Sequence, residues 1–125
     1  MLDPNRFIRL FFSGSEESRS KGQGFLERIP HGRSIATSAT RDAQLEAIAL
    51  GDSDPSKLAR LAAITQPTLV ANGDDDPMTI TENSRLLARH LPNAELRIYP
   101  DAGHGFLDQY REEFADHVNA FINGG

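Results

Sequence analysis

The chain has 125 residues and a formal net charge of −5, with 38% hydrophobic and 25% charged residues. These proportions are ordinary for a globular protein, and the length suits one domain or part of one. The acidic balance argues against nucleic acid or an anionic membrane as a partner, because both are bound through basic patches. The sequence has no cysteine, which excludes disulfides, a thiol nucleophile and thiolate metal sites.

The sequence does not have the apolar segments of a membrane protein. No stretch approaches the roughly 18 consecutive apolar residues that a membrane-spanning helix needs. Residues 1–6, Met-Leu-Asp-Pro-Asn-Arg, lack the apolar segment of a secretory leader. We therefore expect a cytoplasmic location.

The first half of the chain predicts helices joined by loops, without a strand. It opens with an apolar cluster formed by Phe7, Ile8, Leu10, Phe11 and Phe12. Ser15 is a predicted helix cap, because Glu16 and Glu17 follow in the first turn, where negative charge is favourable. Pro30-His31-Gly32 is predicted to end that helix.

The helix that follows Ser15 is predicted to be amphipathic but weak. Its buried side is predicted to consist of Phe25, Leu26 and Ile29. Gly22 and Gly24 should weaken the helix by about 1 kcal/mol each, because glycine is a poor helix former.

Two further helices are predicted before the first strand. One covers residues 41–50, and its apolar face consists of Leu45, Ile48 and Ala49. The next begins at Asp54-Pro55, since proline is well tolerated at the first helical position. Its apolar side chains are Leu58, Leu61 and Ile64.

The second half alternates strands and helices. Residues 68–72 and 95–99 predict two strands, and a last helix is predicted near residues 110–122. Between the strands, Thr79 and Glu82 form a predicted capping box for a helix that ends at Pro92-Asn93. The predicted inner stripes are Ile80, Arg85-Leu86-Leu87 and Leu91 in the first helix, and Phe114, Val118, Phe121 and Ile122 in the last.

The order strand, helix, strand, helix predicts parallel strands joined by a right-handed crossover. The predicted fold class is therefore α/β, with a helical segment over residues 1–59 and a β-α-β-α unit over residues 60–125.

His104 lies in a Gly-His-Gly turn directly after the second predicted strand. The glycines on either side, Gly103 and Gly105, let the backbone bend sharply and leave the imidazole exposed at the edge of the sheet. Imidazole titrates near neutral pH, which suits a general base. The alternative is a turn histidine without a chemical role, and His31, His90 and His117 are interpreted as structural.

Three aspartates, Asp74, Asp75 and Asp76, follow Gly73 at the end of the first predicted strand. Functional residues collect at the carboxyl ends of strands in open α/β sheets, and adjacent strands lie only ~4.8 Å apart. One of these acids can therefore reach His104, accept its second N–H and stabilise the imidazolium. The other interpretation is a solvated acidic loop that caps the next helix.

A hard divalent cation is a further possible ligand of Asp74, Asp75 and Asp76. Consecutive acids on one turn point in different directions, however, and the sequence offers no second cluster of ligands. We therefore treat a metal pocket as a minor alternative.

The sequence contains no Gly-x-Ser-x-Gly elbow, the pattern that carries the nucleophile of α/β-type serine hydrolases. Ser13 and Ser15 lie in Ser-Gly-Ser-Glu-Glu-Ser but lack the flanking glycines of that pattern. They are better explained as part of a helix cap.

Two stretches resemble the α/β-hydrolase fold family, in its esterase, C–C hydrolase and haloperoxidase-like group. They are Gln-Pro-Thr-Leu-Val-Ala-Asn-Gly-Asp-Asp-Asp-Pro-Met, residues 66–78, and Ile-Tyr-Pro-Asp-Ala-Gly-His-Gly-Phe, residues 98–106. The resemblance implies the last two strands of the family's sheet, with residues 1–59 similar to part of its helical lid. In the family the acid comes three positions after the glycine that ends the penultimate strand, here Asp76, and the base lies in the Gly-His turn, here His104.

The resemblance implies a C-terminal portion of a hydrolase. Asp76 and His104 would be the acid and base of a Ser-His-Asp triad that hydrolyses an ester-like bond in a small-molecule substrate, with no cofactor. Because the nucleophile elbow is not in the sequence, we expect the chain to be inactive by itself.

Two parallel strands leave at least one edge of backbone N–H and C=O groups open. We expect strand 67–72 to pair with a copy of itself and give a homodimer. A non-enzymatic, dimerising βαβα module is therefore the main alternative to a hydrolase fragment.

Overall fold

The computed structural model describes residues 3–29, 36–52 and 56–124. Within those ranges the chain forms seven helices and two strands. In chain order they are α1 Pro4–Phe11, α2 Glu16–Arg28, α3 Ser38–Asp52, α4 Lys57–Leu61, β1 Thr68–Gly73, α5 Thr81–His90, β2 Ala94–Tyr99, α6 Phe106–Gln109 and α7 Arg111–Asn123.

Strands β1 and β2 pair in parallel, as predicted from the helix between them. The register runs from Thr68 opposite Ala94 to Gly73 opposite Tyr99. The α/β fold class, with helices followed by a β-α-β-α unit, is therefore confirmed. Because Gly73 and Tyr99 are neighbours, the loops that carry the predicted acid and histidine leave the same edge of the sheet.

The buried core lies under the C-terminal end of β2. Tyr99, Ala102 and Phe106 form it, and Ala71, Tyr110 and Phe114 pack against it. The ring centroids of Tyr99 and Phe106 are 5.3 Å apart. This packing fixes both ends of the loop between β2 and α6.

Helices α1 and α2 meet through phenylalanine rings. Phe7 stacks on Phe11 with centroids 4.3 Å apart and on Phe25 at 5.6 Å. Ser15 caps α2 as predicted, because its hydroxyl oxygen accepts the N–H of Ser18 at 3.0 Å. The contact between Phe7 and Phe25 thus packs the middle of α1 against the last turns of α2.

Gly22 has a packing role that its helix propensity alone does not indicate. A Cβ atom at this position would lie 2.8 Å from Cδ2 of Phe12. Phe12 is buried, so the ring has little room to move. The glycine therefore permits the close contact of α1 and α2.

The predicted capping box at Thr79 and Glu82 is wrong. Helix α5 begins at Thr81, with Ile80 in the capping position and no side-chain cap. The N–H of Thr79 is instead taken by Asp76 Oδ1 at 2.9 Å, and the Thr81 hydroxyl donates to the Gly73 carbonyl at 2.7 Å. The loop of three aspartates that follows β1 thus takes, through Asp76, the N–H that the Glu82 side chain would accept in a capping box.

Parts of the predicted apolar stripes are exposed. Ile80, Leu87 and Ile122 lie at the surface, as do Leu45 and Ile48 of α3 and Leu58 of α4. The period of a helix identifies which residues share a face but not what covers that face. Leu91 is buried, as predicted for α5.

Two predicted helix boundaries, at Pro30-His31-Gly32 and at Asp54-Pro55, lie outside the described residues. Among the described residues, α2 ends at Arg28 and α4 begins at Lys57. The predicted boundary between residues 59 and 60 falls inside α4, and the division into two segments stays a prediction. None of the described helices is long and apolar enough to cross a bilayer, and the cytoplasmic location also stays a prediction.

Candidate active site

Asn72, near the end of β1, organises the loop that contains the three aspartates. Its amide nitrogen donates to the Thr79 carbonyl at 2.7 Å and to Ser84 Oγ at 3.1 Å, and its amide oxygen accepts the N–H of Gly73 at 2.9 Å. Asn72 is only 3% exposed. Since a buried amide is stable only when its polar atoms are bonded, these contacts fix where the loop begins and ends.

Asp76 divides its carboxylate between this loop and the histidine. Oδ1 accepts the N–H groups of Met78 at 2.8 Å and Thr79 at 2.9 Å. Oδ2 lies 2.9 Å from Nδ1 of His104. The Asp76 side chain is 1% exposed, so the carboxylate is shielded from water and its orientation is set by three partners.

His104 approaches Asp76 from the loop between β2 and α6. Its side chain is 37% exposed. The ring lies edge-on to Phe11, with centroids 5.2 Å apart and an interplanar angle of 74°. The imidazole thus has one nitrogen on the buried carboxylate and an apolar ring beside it.

The glycines on either side of His104 have a physical reason that differs from the predicted sharp bend. A Cβ atom at Gly103 would lie 2.9 Å from the Phe11 carbonyl oxygen, and one at Gly105 would lie 2.8 Å from it. The N–H of Gly105 donates to that same oxygen at 2.5 Å. Glycine is therefore required because the end of α1 packs directly against the histidine loop.

The other two aspartates tie the two loops together. The N–H of Asp74 donates to the Tyr99 carbonyl at 3.0 Å, that of Asp75 donates to the Ala102 carbonyl at 2.9 Å, and Asp74 Oδ1 accepts the N–H of Ala102 at 3.1 Å. Both side chains are exposed, unlike that of Asp76. Within the described ranges, no three His, Asp or Glu side chains converge as a metal site would require.

This geometry suits acid–base chemistry at one imidazole nitrogen. An ionised carboxylate only accepts hydrogen bonds, so Asp76 Oδ2 selects the ring form with a proton on Nδ1. In a neutral ring, Nε2 is then the nitrogen that can take up a proton.

The fold and this pair of loops match a known family. The family model for the alpha/beta hydrolase fold matches residues 9–109. The chain belongs to the alpha/beta hydrolase fold family. The match begins in the last turn of α1 and covers α2 and both strands, so most of the helical first half is part of the same family pattern.

Several hydrolases are similar to the chain. It is 30% identical over 116 residues to a pimeloyl-[acyl-carrier protein] methyl ester esterase of Nitrosomonas europaea, a match that covers 93% of this chain and 44% of the esterase. It is 48% identical over 62 residues to a poly(3-hydroxyalkanoate) depolymerase of Ectopseudomonas oleovorans, covering 50% of this chain and 22% of the depolymerase.

A solved alpha/beta hydrolase fold protein from Chitinophaga pinensis has a similar structure. The TM-score is 0.87 at 37% sequence identity, and the match covers all of this chain (100%) and 46% of that protein. The chain therefore spans less than half the length of these relatives.

Two other histidines of this alpha/beta hydrolase fold chain make local contacts. His90 Nδ1 lies 2.9 Å from the Leu86 carbonyl oxygen in the last turn of α5. His117 Nδ1 lies 2.6 Å from the hydroxyl of Tyr99, whose pKa is raised by burial, with a further contribution from the Glu113 carboxylate. These contacts agree with a structural interpretation of both, and His31 lies outside the described residues.

Sequence reasoning missed Asn72 and Ser84 as organisers of the site. Both are buried polar side chains, at 3% and 4% exposure. The available signal was an asparagine at the end of an apolar strand. Burying its amide there without hydrogen-bonding partners would cost free energy, so partners were to be expected. Its partners lie in the next turn and in α5, which no local pattern indicated.

Proposed function

We propose that this chain supplies the acid and the base of a Ser-His-Asp triad in an α/β-hydrolase that cleaves ester-like bonds. The observation that carries the proposal is the 2.9 Å contact between Asp76 Oδ2 and His104 Nδ1. The burial of the Asp76 carboxylate and its two backbone donors support the role of an acid that orients the imidazole and stabilises its protonated form.

In the proposed reaction His104 acts through Nε2. It takes the proton of a serine hydroxyl as that oxygen attacks the ester carbonyl, and returns it to the leaving alcohol. Asp76 keeps the proton on Nδ1 throughout and does not itself take it up. The same cycle, with water as the attacking group, releases the acid product.

We propose that the chain by itself does not hydrolyse esters. Its sequence has no Gly-x-Ser-x-Gly elbow, where the family carries its nucleophile. A base that lacks both a nucleophile and oxyanion donors gives little acceleration. Oxyanion donors usually make the largest single contribution to stabilising the transition state.

The proposed substrate is a small molecule with an ester-like bond. One relative is named as an esterase of a methyl ester and another as a depolymerase of a poly(3-hydroxyalkanoate). Both names favour attack at an acyl carbon, without identifying the acyl group that this chain would take.

A segment exchange tests the proposal. The matched part of the Nitrosomonas europaea esterase would be replaced with this chain, and hydrolysis of para-nitrophenyl butyrate would be followed by absorbance, with the unaltered esterase as the positive control. We expect turnover by the chimera that is lost in His104→Ala and kept in Asp75→Asn. A chimera whose turnover is the same with His104→Ala would contradict the proposal.

The isolated chain should hydrolyse the same ester no faster than buffer. Turnover by the isolated chain that disappears in His104→Ala would refute the proposed inactivity while supporting the role of the histidine. The two experiments therefore test the base and the missing nucleophile separately.

We also propose that the isolated chain dimerises through strand 67–72. In the described part of the chain, β1 has β2 on one side, and a bare strand edge is a template for pairing. Light scattering coupled to size-exclusion chromatography should give the mass of two chains. The mass of one chain at every loading concentration would exclude the dimer.

A further inference from the structure

The turn between α1 and α2 holds the loop that follows β2. Both carboxylate oxygens of Asp101 accept hydrogen bonds from this turn: Oδ1 from the Ser13 hydroxyl and Oδ2 from the Ser15 hydroxyl, the latter at 2.5 Å. The partners are 88 and 86 residues apart in the chain. The contact therefore joins the helical first half to the histidine loop.

The same contact continues through two more side chains and closes on itself. Ser18 Oγ accepts the N–H of Ser13 at 2.9 Å and donates to Gln109 Oε1 at 2.8 Å. Gln109 Nε2 donates to the Asp101 carbonyl at 2.8 Å. We call this ring of hydrogen bonds the serine clasp; its members are Ser13, Ser15, Ser18, Asp101 and Gln109.

The serine clasp is partly buried, which gives its bonds more weight than surface contacts. Ser18 is 0% exposed and Ser13 is 5% exposed. A buried hydroxyl that loses its partner carries the full cost of its desolvation. Ser13 and Ser18 thus form the buried part of the clasp, whereas Asp101 lies at the surface.

Asp101 holds an unusual backbone conformation inside the clasp. Its φ angle is 51°, in the left-handed region. Non-glycine residues are uncommon there, although aspartate tolerates the region better than most. Because the clasp bonds both the side chain and the carbonyl of Asp101, it stabilises this turn of the loop.

His104 lies between the two anchored positions, three residues after Asp101 and five before Gln109. A further tether, from the N–H of Gly105 to the Phe11 carbonyl, is adjacent to it. The His104 side chain is 37% exposed, so packing alone does not fix its orientation. The backbone on both sides of the histidine is held by the clasp and by the Phe11 carbonyl, in addition to the hydrogen bonds between Ala102 and the two aspartates Asp74 and Asp75.

We propose that the serine clasp positions His104 so that Nδ1 meets the Asp76 carboxylate, with Asp101 as the central positioning residue. The proposal rests on the proposed role of Asp76 and His104. Asp76 is fixed from its own loop, by the N–H groups of Met78 and Thr79. In this proposal the clasp holds the other partner, His104, whose Nδ1 lies 2.9 Å from Asp76 Oδ2.

Nuclear magnetic resonance of the whole ¹⁵N-labelled chain tests the proposal through the two ring nitrogens of His104. In wild type we expect the neutral ring to carry its proton on Nδ1. Asp101→Gly suits the left-handed backbone and removes both acceptors without strain. We expect this variant to weaken the hydrogen bond from His104 Nδ1–H to the Asp76 carboxylate. Because a hydrogen bond to a charged group favours the ring form that makes it, the ratio of Nδ1–H to Nε2–H forms should fall about tenfold.

Two further clasp variants and one control variant are measured in the same way as Asp101→Gly. Ser13→Ala removes one donor and should lower the ratio in the same direction, whereas Asp101→Asn keeps one carbonyl oxygen and should give an intermediate ratio. Ser20→Ala, an exposed serine of the same helix α2, should leave the ratio at the wild-type value. If Asp101→Gly fails to fold, as its backbone amide spectrum would show, Ser13→Ala and Asp101→Asn decide the outcome.

The outcomes separate this inference from the proposed function. Folded clasp variants with the wild-type ratio would overturn the positioning role and leave Asp76 and His104 as the proposed pair. A wild-type ring without a preference for Nδ1–H would overturn both. A lowered ratio in the clasp variants, with the control unchanged, supports the clasp.

Discussion

Asp76 binds His104 with one carboxylate oxygen while its own loop occupies the other. The N–H groups of Met78 and Thr79 point at Oδ1, and Nδ1 of His104 faces Oδ2 at 2.9 Å. The two oxygens are therefore not equivalent. An amide in place of the carboxylate would have only one favourable orientation, with its oxygen toward the two backbone donors.

Asp76→Asn should reverse the proton position on the His104 ring. The amide oxygen would accept from Met78 and Thr79, so the NH₂ group would face Nδ1 and donate to it, leaving the proton on Nε2. In a complete active site that form cannot act as a base, and the rate should fall by about 10⁴, as in other triads with this change. The measurement is the ¹⁵N shift of both ring nitrogens.

Asp75→Asn is the matched control for this prediction, since Asp75 is exposed on the same loop. Its ring spectrum should be that of wild type. An unchanged proton position in Asp76→Asn would show that the amide does not adopt the orientation set by Met78 and Thr79.

Asn72→Ala should destabilise the chain and release the acid loop. The change leaves the Ser84 hydroxyl and the Thr79 carbonyl without their buried amide partner, at a cost of about 2–4 kcal/mol. Urea unfolding followed by circular dichroism measures the loss. Asn93→Ala, at an exposed position before β2, should stay within about 0.5 kcal/mol of wild type; equal losses in both variants would argue against a special role of Asn72.

The two glycines of α2 should respond in opposite directions to alanine. Gly22→Ala forces Cβ to within 2.8 Å of the buried Phe12 ring, and we expect a net loss of about 1–3 kcal/mol. A Cβ atom at Gly24 meets only the end of the Arg28 side chain, 3.3 Å away. Since that end can move, Gly24→Ala should stabilise the helix by up to about 1 kcal/mol.

Thermal or urea unfolding of both single variants provides this comparison in one experiment. Destabilisation of similar size in both would show that loss of glycine, rather than the contact with Phe12, determines the effect.

Acid should weaken the link between Asp101 and the two serines. Hydrogen bonds from Ser13 and then from Ser15 hold the pKa of Asp101 below its ordinary value. A carboxyl whose pKa is lowered by folding contributes stability above its unfolded value, about 3.9, and this contribution is lost as the pH falls through the folded value. The stability gap between wild type and Asp101→Asn should therefore be constant above about pH 5 and close below it.

Urea unfolding at a series of pH values checks this prediction. Asp116→Asn, on the exposed side of α7, controls for the loss of one surface carboxylate. A gap for Asp101→Asn that widens toward low pH would mean that the sign of the linkage is opposite to the one inferred from the hydrogen bonds.

Local features of the fold were predictable from the sequence because neighbouring residues determine them. Ser15 and the two glutamates after it were sufficient to place the start of α2, and the apolar runs were sufficient to place β1 and β2. The capping box at Thr79 failed for a local reason too, since Asp76 lies close enough to take the same N–H group. Local competition of this kind does not appear in a pattern of residue types.

The candidate site was only partly predictable. The position of the strands indicated that an acid after β1 could reach His104, but spacing alone did not distinguish Asp76 from Asp74 and Asp75. Burial in the structure distinguishes the three aspartates: the Asp76 side chain is 1% exposed, whereas the other two lie at the surface. The bonds from Ser13 and Ser15 to Asp101 join segments more than 80 residues apart, and no periodicity could have paired them.

The tether between Gly105 and Phe11 joins two main-chain groups. This hydrogen bond therefore does not involve the side chain at position 11. A substitution at position 11 would therefore remove the ring that stacks on Phe7 and lies beside His104, but not the main-chain hydrogen bond that supports the histidine.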